Sequence, residues 1–138
     1  MRGILSHGAY LPHRRLDRST IAAVAGTGGG KGTRTVASYD EDTTTLGVEA
    51  ARRALAASSA RPGALWFSTV EPAYVDKTNA TTIHAALRLD DDAIAADFGG
   101  AVRSATAALR AALVGGPTTL VVSSGIRTGL PGSADEAQ

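Results

Sequence analysis

Glu71 stands directly before Pro72 and three residues after the apolar run Ala64-Leu65-Trp66-Phe67-Ser68. If that run is a parallel strand, the glutamate sits on a loop where the carboxyl ends of strands gather ligands, and it has the chemistry of a general acid or base. A lone loop glutamate without a partner is more often a solvated surface group, so position alone does not assign it. His7, His13 and His84 lack the spacing of a metal site, and Asp90-Asp91-Asp92 are adjacent rather than alternate as a calcium loop requires. His84 falls on an apolar helical face and is read as a hydrogen-bonded core residue. The segment Gly26-Thr27-Gly28-Gly29-Gly30-Lys31-Gly32-Thr33 brings a lysine into a glycine-rich loop. A nucleotide-binding loop would need glycine where Ala25 stands and serine or threonine where Gly32 stands, so a mobile connection is expected instead. The chain has no cysteine, which removes disulfides, thiolate metal sites and thiol nucleophiles together.

These residues must be positioned by ordinary elements. Gly3 to Leu11 is apolar-rich and ends before Pro12, which suggests an opening strand, and Ser19 can cap a short helix from Thr20 to Ala25. Asp40-Glu41-Asp42 precede Thr43 to Ala57, where Leu46, Ala50 and Ala54 recur every four residues, so acids lie at the positive end of a predicted helix. Pro62-Gly63 breaks the chain before the aromatic run Ala64–Ser68, which is predicted to be a central strand. A helix from about Thr78 to Leu87 presents Ala80, Ile83, His84 and Leu87, and a strand from Ala93 to Phe98 follows. Val102, Ala105, Thr106, Leu109, Ala112 and Leu113 then fall at helical spacing, with Arg103 and Arg110 opposite. Gly115-Gly116-Pro117 stops that helix, and Thr119–Ser123 reads as a strand buried on both faces. The alternation predicts an α/β fold with a mostly parallel sheet of about five strands and helices on both faces.

The composition is that of one ordinary domain: 138 residues, 43% hydrophobic, 20% charged and a formal net charge of +1. So small a charge offers no electrostatic reason to expect a nucleic-acid partner. No stretch reaches the roughly 20 apolar residues of a membrane span, and Met1 to His7 lacks the apolar core of a signal peptide, so a cytoplasmic location with no membrane partner is expected. Asn79-Ala80-Thr81 fits a glycosylation acceptor but is discounted on the same ground.

Asp97-Phe98-Gly99-Gly100-Ala101-Val102-Arg103-Ser104-Ala105-Thr106-Ala107-Ala108-Leu109 resembles the nucleophile segment of the hydroxymethylglutaryl-CoA synthase and ketoacyl synthase III branch of the thiolase superfamily, where an aspartate, four residues and a cysteine precede a small-residue helix. Arg34-Thr35-Val36-Ala37-Ser38-Tyr39-Asp40-Glu41-Asp42, the helix after it, and Glu71 through His84 are similar to that branch in order and spacing. The resemblance covers nearly the whole chain and implies that residues 1–138 are the amino-terminal half of a thiolase-like fold. It puts Val102 at the nucleophile position. A cysteine at a helix start gains a lowered thiolate pKa and attacks an acyl thioester, whereas valine has no nucleophilic atom, and Ser104 and Thr106 are displaced by two and four residues.

The resemblance further implies that Glu71 matches the acid/base glutamate, and that the remaining catalytic groups come from a carboxyl-terminal half this chain lacks. The expected role is a non-catalytic subunit or fragment, a pseudoenzyme that acts in assembly and in forming an acyl-CoA pocket. Two alternatives stand beside it: an acyltransferase completed by another chain, and a subunit that holds an acyl-CoA or acyl-carrier thioester, without other cofactors, through Lys31 and Arg34 as phosphate partners. Expected partners are a second thiolase-like half or subunit in a homo- or hetero-oligomer, with dimers common in the family, and a zinc-ribbon/OB-fold protein. The family continues into a glycine-rich segment beyond Gly132–Gln138, which points to a fragment or split subunit.

Overall fold

The computed structural model describes residues 2–133, so most of the closing segment Gly132–Gln138 and the first residue lie outside the described residues. Two compact units form: Met1–Tyr10 with Asp42–Gly125, and Leu11–Glu41 with Ile126–Gln138.

The larger unit holds three parallel strands: β3 (Ala64–Ser68) lies between β4 (Ile94–Phe98) and β5 (Thr119–Ser123). Helices α2 (Thr43–Ala56), α3 (Asn79–Leu87) and α4 (Arg103–Val114) connect or flank them. The step from β3 to β4 runs through α3, and the step back across β3 to β5 runs through α4. Right-handed crossovers in opposite directions place α3 and α4 on opposite faces of the sheet.

Local chemistry explains the elements. Asp42 caps α2: its Oδ1 accepts from the Thr45 amide at 2.7 Å while its own amide donates to Thr45 Oγ1 at 2.7 Å. The acid read as a dipole partner is therefore a reciprocal capping box. α3 ends at Arg88 in the left-handed conformation, φ 53°, with its N–H turned back to the carbonyls of Ala85 and His84. Leu65, Phe67 and Val122 meet Val48 and Ala51 of α2 and Ala80 and Ile83 of α3 in one buried cluster. Full burial of side chains such as Leu65 or Phe67 contributes about 1.5–3 kcal/mol each. α2 reaches that face because Gly47 has no side chain: a Cβ there would stand 3.1 Å from Phe67, 3.2 Å from Ile83 and 3.2 Å from Val122.

The other face is thinly covered. Trp66 stacks at a tilt on Phe98, with ring centroids 5.2 Å apart. Of α4 only Ala108 is buried, while Leu109 and Leu113 are 40% and 41% exposed. The helix itself is where its spacing predicts, but its apolar stripe is not the buried face expected from it. β5 likewise buries only Val122, not both faces, because a single strand flanks it. Gly3 to Leu11, expected as an opening strand, is not assigned as one, since no strand pairs with it among the described residues.

The smaller unit pairs β1 (Arg14–Asp17) antiparallel with β2 (Thr33–Val36), joined through α1 (Ser19–Ala25) and the glycine-rich loop. The five strands therefore divide between a parallel sheet and an antiparallel pair rather than forming one mostly parallel sheet; the basic turn after Pro12 leads into a hairpin arm of its own. Asp17, not Ser19, serves the start of α1: its carboxylate accepts from the Ser19 amide at 3.0 Å and from the Ser19 hydroxyl at 2.8 Å. These bonds hold the Asp17 carboxyl below its usual range, so the interaction is present at neutral pH and is lost as pH falls through the lowered value. The glycine loop, expected to be mobile, is a shaped return. The Arg18 amide donates to Gly32 O at 2.9 Å, and a Cβ on Gly29, φ +82°, would stand 2.1 Å from the Arg18 carbonyl oxygen.

Replacing Gly47 with valine forces a branched side chain into Phe67, Ile83 and Val122. Overpacking costs about 1–3 kcal/mol and outweighs a helix-propensity gain of about 0.5 kcal/mol. The denaturant midpoint of G47V should fall accordingly.

Candidate functional site

The carboxyl ends of β3, β4 and β5 open onto one side of the larger unit, where the loop Thr69–Thr78 and the turn Gly99–Val102 lie. A cavity of about 190 Å³ forms there among Phe67, Tyr74, Lys77, Asn79, Asp97 and Gly100, with neighbouring loop residues.

Asp97, the last residue but one of β4, organises this end. Its Oδ1 accepts from the Ala80 amide at 2.7 Å, and its Oδ2 accepts from the Asn79 amide at 2.7 Å and from Asn79 Nδ2 at 3.2 Å. Asn79 and Ala80 open α3, so their amides have no partner within the helix, and a carboxylate at the positive end of the dipole satisfies both. The buried Asn79 side chain then ties in the loop and α2. Its Oδ1 accepts from the Tyr74 amide at 3.0 Å and from Thr44 Oγ1 at 3.2 Å, and its Nδ2 donates to the Tyr74 carbonyl at 2.9 Å. This network was missed by reading Asn79 only as a glycosylation acceptor. Its signal was a buried-strand aspartate one strand away from a helix start, which sequence spacing does not bring together. The side chain is 2% exposed and fully engaged, which agrees with discounting glycosylation.

Glu71 is on the loop after β3, as expected. Its amide donates to Thr69 Oγ1 at 3.1 Å and its carbonyl accepts from Thr43 Oγ1 at 2.7 Å, so the backbone is held while the side chain is exposed. Val102 is the residue preceding α4 and is 69% exposed. Neither residue lines the cavity. Ser104, the nearest hydroxyl, donates to Gly99 O at 2.8 Å and closes the turn into α4. The Lys77 ammonium lies 3.7 Å from the centroid of the Tyr74 ring, a cation–π contact at the cavity wall.

The other residues singled out lie apart from this arrangement. His84 is half-buried with Nε2 3.1 Å from the Asp90 carbonyl oxygen, a structural contact near the end of α3. Lys31 and Arg34 belong to the smaller unit: Lys31 is exposed, and Arg34 Nη2 donates to the Arg127 carbonyl at 2.7 Å. Among the described residues no group of three or more His, Cys, Asp or Glu is placed to hold a metal ion, and no helix is long and apolar enough to cross a membrane.

Losing the Asp97 carboxylate strands two amides at the start of α3, at about 1–3 kcal/mol for such unsatisfied groups. D97A should lower the urea midpoint and speed hydrogen exchange at Tyr74, Asn79 and Ala80, and D97N, which keeps one carbonyl acceptor, should do so less.

No family model matches the chain. Individual relatives do. The hydroxymethylglutaryl-CoA synthase of Thermococcus sibiricus is 40% identical over 115 residues, covering 80% of this chain and 33% of that protein. The enzyme of the same name from Methanopyrus kandleri is 36% identical over 146 aligned positions, covering 99% of this chain and 40% of that protein. Among solved structures, 3-oxoacyl-[acyl-carrier-protein] synthase III from Aquifex aeolicus superposes with a TM-score of 0.72 at 22% identity, over 88% of this chain and 44% of that one. The synthase III of Thermus thermophilus gives 0.66 at 26% identity, over 80% and 37%. The chain thus spans about two fifths of the length of the relatives it matches. With a parallel α/β sheet, that sequence similarity and these superpositions, the chain belongs to the thiolase superfamily, in the branch that resembles hydroxymethylglutaryl-CoA synthase and ketoacyl synthase III.

Proposed function

We propose that this chain is a non-catalytic thiolase-fold subunit or fragment, the amino-terminal half of a hydroxymethylglutaryl-CoA synthase-like protein. It acts in assembly, and its loop-end cavity contributes to an acyl-thioester pocket. The observation that carries this reading is Val102, which stands five residues after Asp97 at the start of α4, where the family resemblance calls for a cysteine. Acyl transfer of that kind needs a nucleophile whose electron pair attacks the thioester carbonyl, and neither Val102 nor any other residue of the chain supplies a thiol. The Ser104 hydroxyl is engaged with Gly99 O. A cavity of about 190 Å³ matches an acyl end rather than a whole coenzyme A, since drug-sized ligands fill roughly 300–1,000 Å³. The outward apolar residues of α4, Leu109, Leu113 and Val114, support an assembly role, because they form an apolar stripe on a helix that packs only one side.

Incubating the protein with acetyl-CoA and measuring its intact mass should show no covalent acetyl adduct. V102C should gain a thiol that alkylates readily with iodoacetamide, owing to its position at the α4 start. An acetyl group on the wild-type chain would overturn the non-catalytic reading.

A further inference from the structure

A second cavity, of about 490 Å³, lies within the larger unit between the extended stretch Gly3–Gly8 and β5. Its two long walls are backbone. On one side, Thr118 O accepts from the Gly63 and Ala64 amides at 2.9 and 3.3 Å, and the Ser124 amide donates to Ser68 O at 3.1 Å. Those contacts turn Thr118, Leu120, Val122 and Ser124 toward β3. By the alternation of a strand, Thr119, Val121 and Ser123 turn their N–H and C=O groups to the open edge, where no strand is paired among the described residues.

On the other side, Gly3–Gly8 is held at both ends but not along its length. Arg2 Nη2 donates to the carbonyls of Gly116 and Pro117. At the far end Arg53 donates to Ala9 O and its guanidinium lies 5.0 Å from the Tyr10 ring centroid. Gly8 lies so close to α2 that a Cβ on it would stand 2.4 Å from the Ala54 amide nitrogen. Between these anchors no backbone–backbone hydrogen bond reaches Gly3–Gly8 among the described residues. Ala50 and Ala54 line the slot on the α2 side, and Leu109 and Leu113 on the α4 side.

We infer that this slot receives one β-strand from a separate polypeptide, hydrogen-bonded to β5 on one flank and to Gly3–Gly8 on the other, with apolar side chains directed toward α2 and α4. Two facing rows of unpaired backbone groups over apolar walls select an extended peptide rather than a small apolar ligand or a helix, because only a strand satisfies both rows at once. Polypeptide to supply it exists in the relatives: this chain accounts for 40% of the Methanopyrus protein. The inference rests on the proposed assembly role and names how the partner joins.

The test uses the full chain and, as probe, the portion of the Methanopyrus kandleri synthase that the chain does not match. Binding is followed by light scattering and by hydrogen exchange. The expected result is a complex in which the amides of Thr119, Val121, Ser123 and Gly3–Gly8 become protected. Val121→Pro removes one outward N–H without touching the β3 ladder, so it should keep the circular dichroism and melting midpoint of the isolated chain yet bind about tenfold or more weakly, the loss of an edge hydrogen bond and of close approach. L120P, on the β3 side, should unfold the sheet instead. A complex whose new protection falls on α4 and leaves these amides exchanging would overturn the slot while leaving the assembly role standing. Protection that grows with the concentration of the chain alone would assign the slot to a second copy and overturn it. No complex at all would overturn both readings.

Discussion

The missing side chain of Gly47 sets the distance at which α2 lies on the sheet, and the rest of the larger unit follows from that distance. With contacts of 3.1–3.2 Å from its Cβ position to Phe67, Ile83 and Val122, one position in α2 touches β3, α3 and β5 together. A glycine in a helix interior weakens the helix by roughly 1 kcal/mol relative to alanine. Here the deficit is offset by the cluster it allows, in which Leu65 and Phe67 lose nearly all contact with water. The same closeness brings Thr44, one turn earlier, within hydrogen-bond reach of Asn79.

Polar chemistry then fixes the carboxyl end of the sheet. Asp97 satisfies the first amides of α3, Asn79 holds Tyr74 and the loop behind it, and Thr43 holds the carbonyl of Glu71. Hydrogen bonds to a carboxylate are stronger than neutral ones, and two of these are 2.7 Å long, so this end is the stiff part of the surface. The turn Gly99–Val102 leaves directly from it. A chain that has no nucleophile at Val102 retains the framework that would hold one, and this framework serves the packing of α2, α3 and the loop whether or not any chemistry is done.

The two faces of the sheet are treated unequally. One is closed by α2 and α3 into a core; the other has α4 alone, with its leucines partly in water, and β5 is left with an open edge. Native domains blunt open edges or cover them. An uncovered edge beside an extended stretch with free backbone groups, in a chain that matches two fifths of its relatives' length, is a structure whose remaining stabilisation comes from outside it.

Much of this was legible in the residues. Asp42 before Thr43, Pro62-Gly63 before Ala64 and Gly115-Gly116-Pro117 before Thr119 mark the borders of α2, β3 and β5 to within a residue, because caps and breakers act through neighbours in the chain. The family, the α/β class and the loop position of Glu71 were legible for the same reason. Which strands would share a sheet was not. The residues Arg14–Asp17 and Thr33–Val36 pair antiparallel with each other, a choice that depends on long-range hydrogen bonding and leaves no mark on local spacing. Nor could periodicity tell that the stripe of α4 would be partly exposed, since an amphipathic pattern records which face seeks cover and not whether cover is present. Asn79 shows the division most plainly: its sequence neighbourhood suggests a surface acceptor, and only the arrival of Asp97, Tyr74 and Thr44 from three other segments makes it the buried centre of the site.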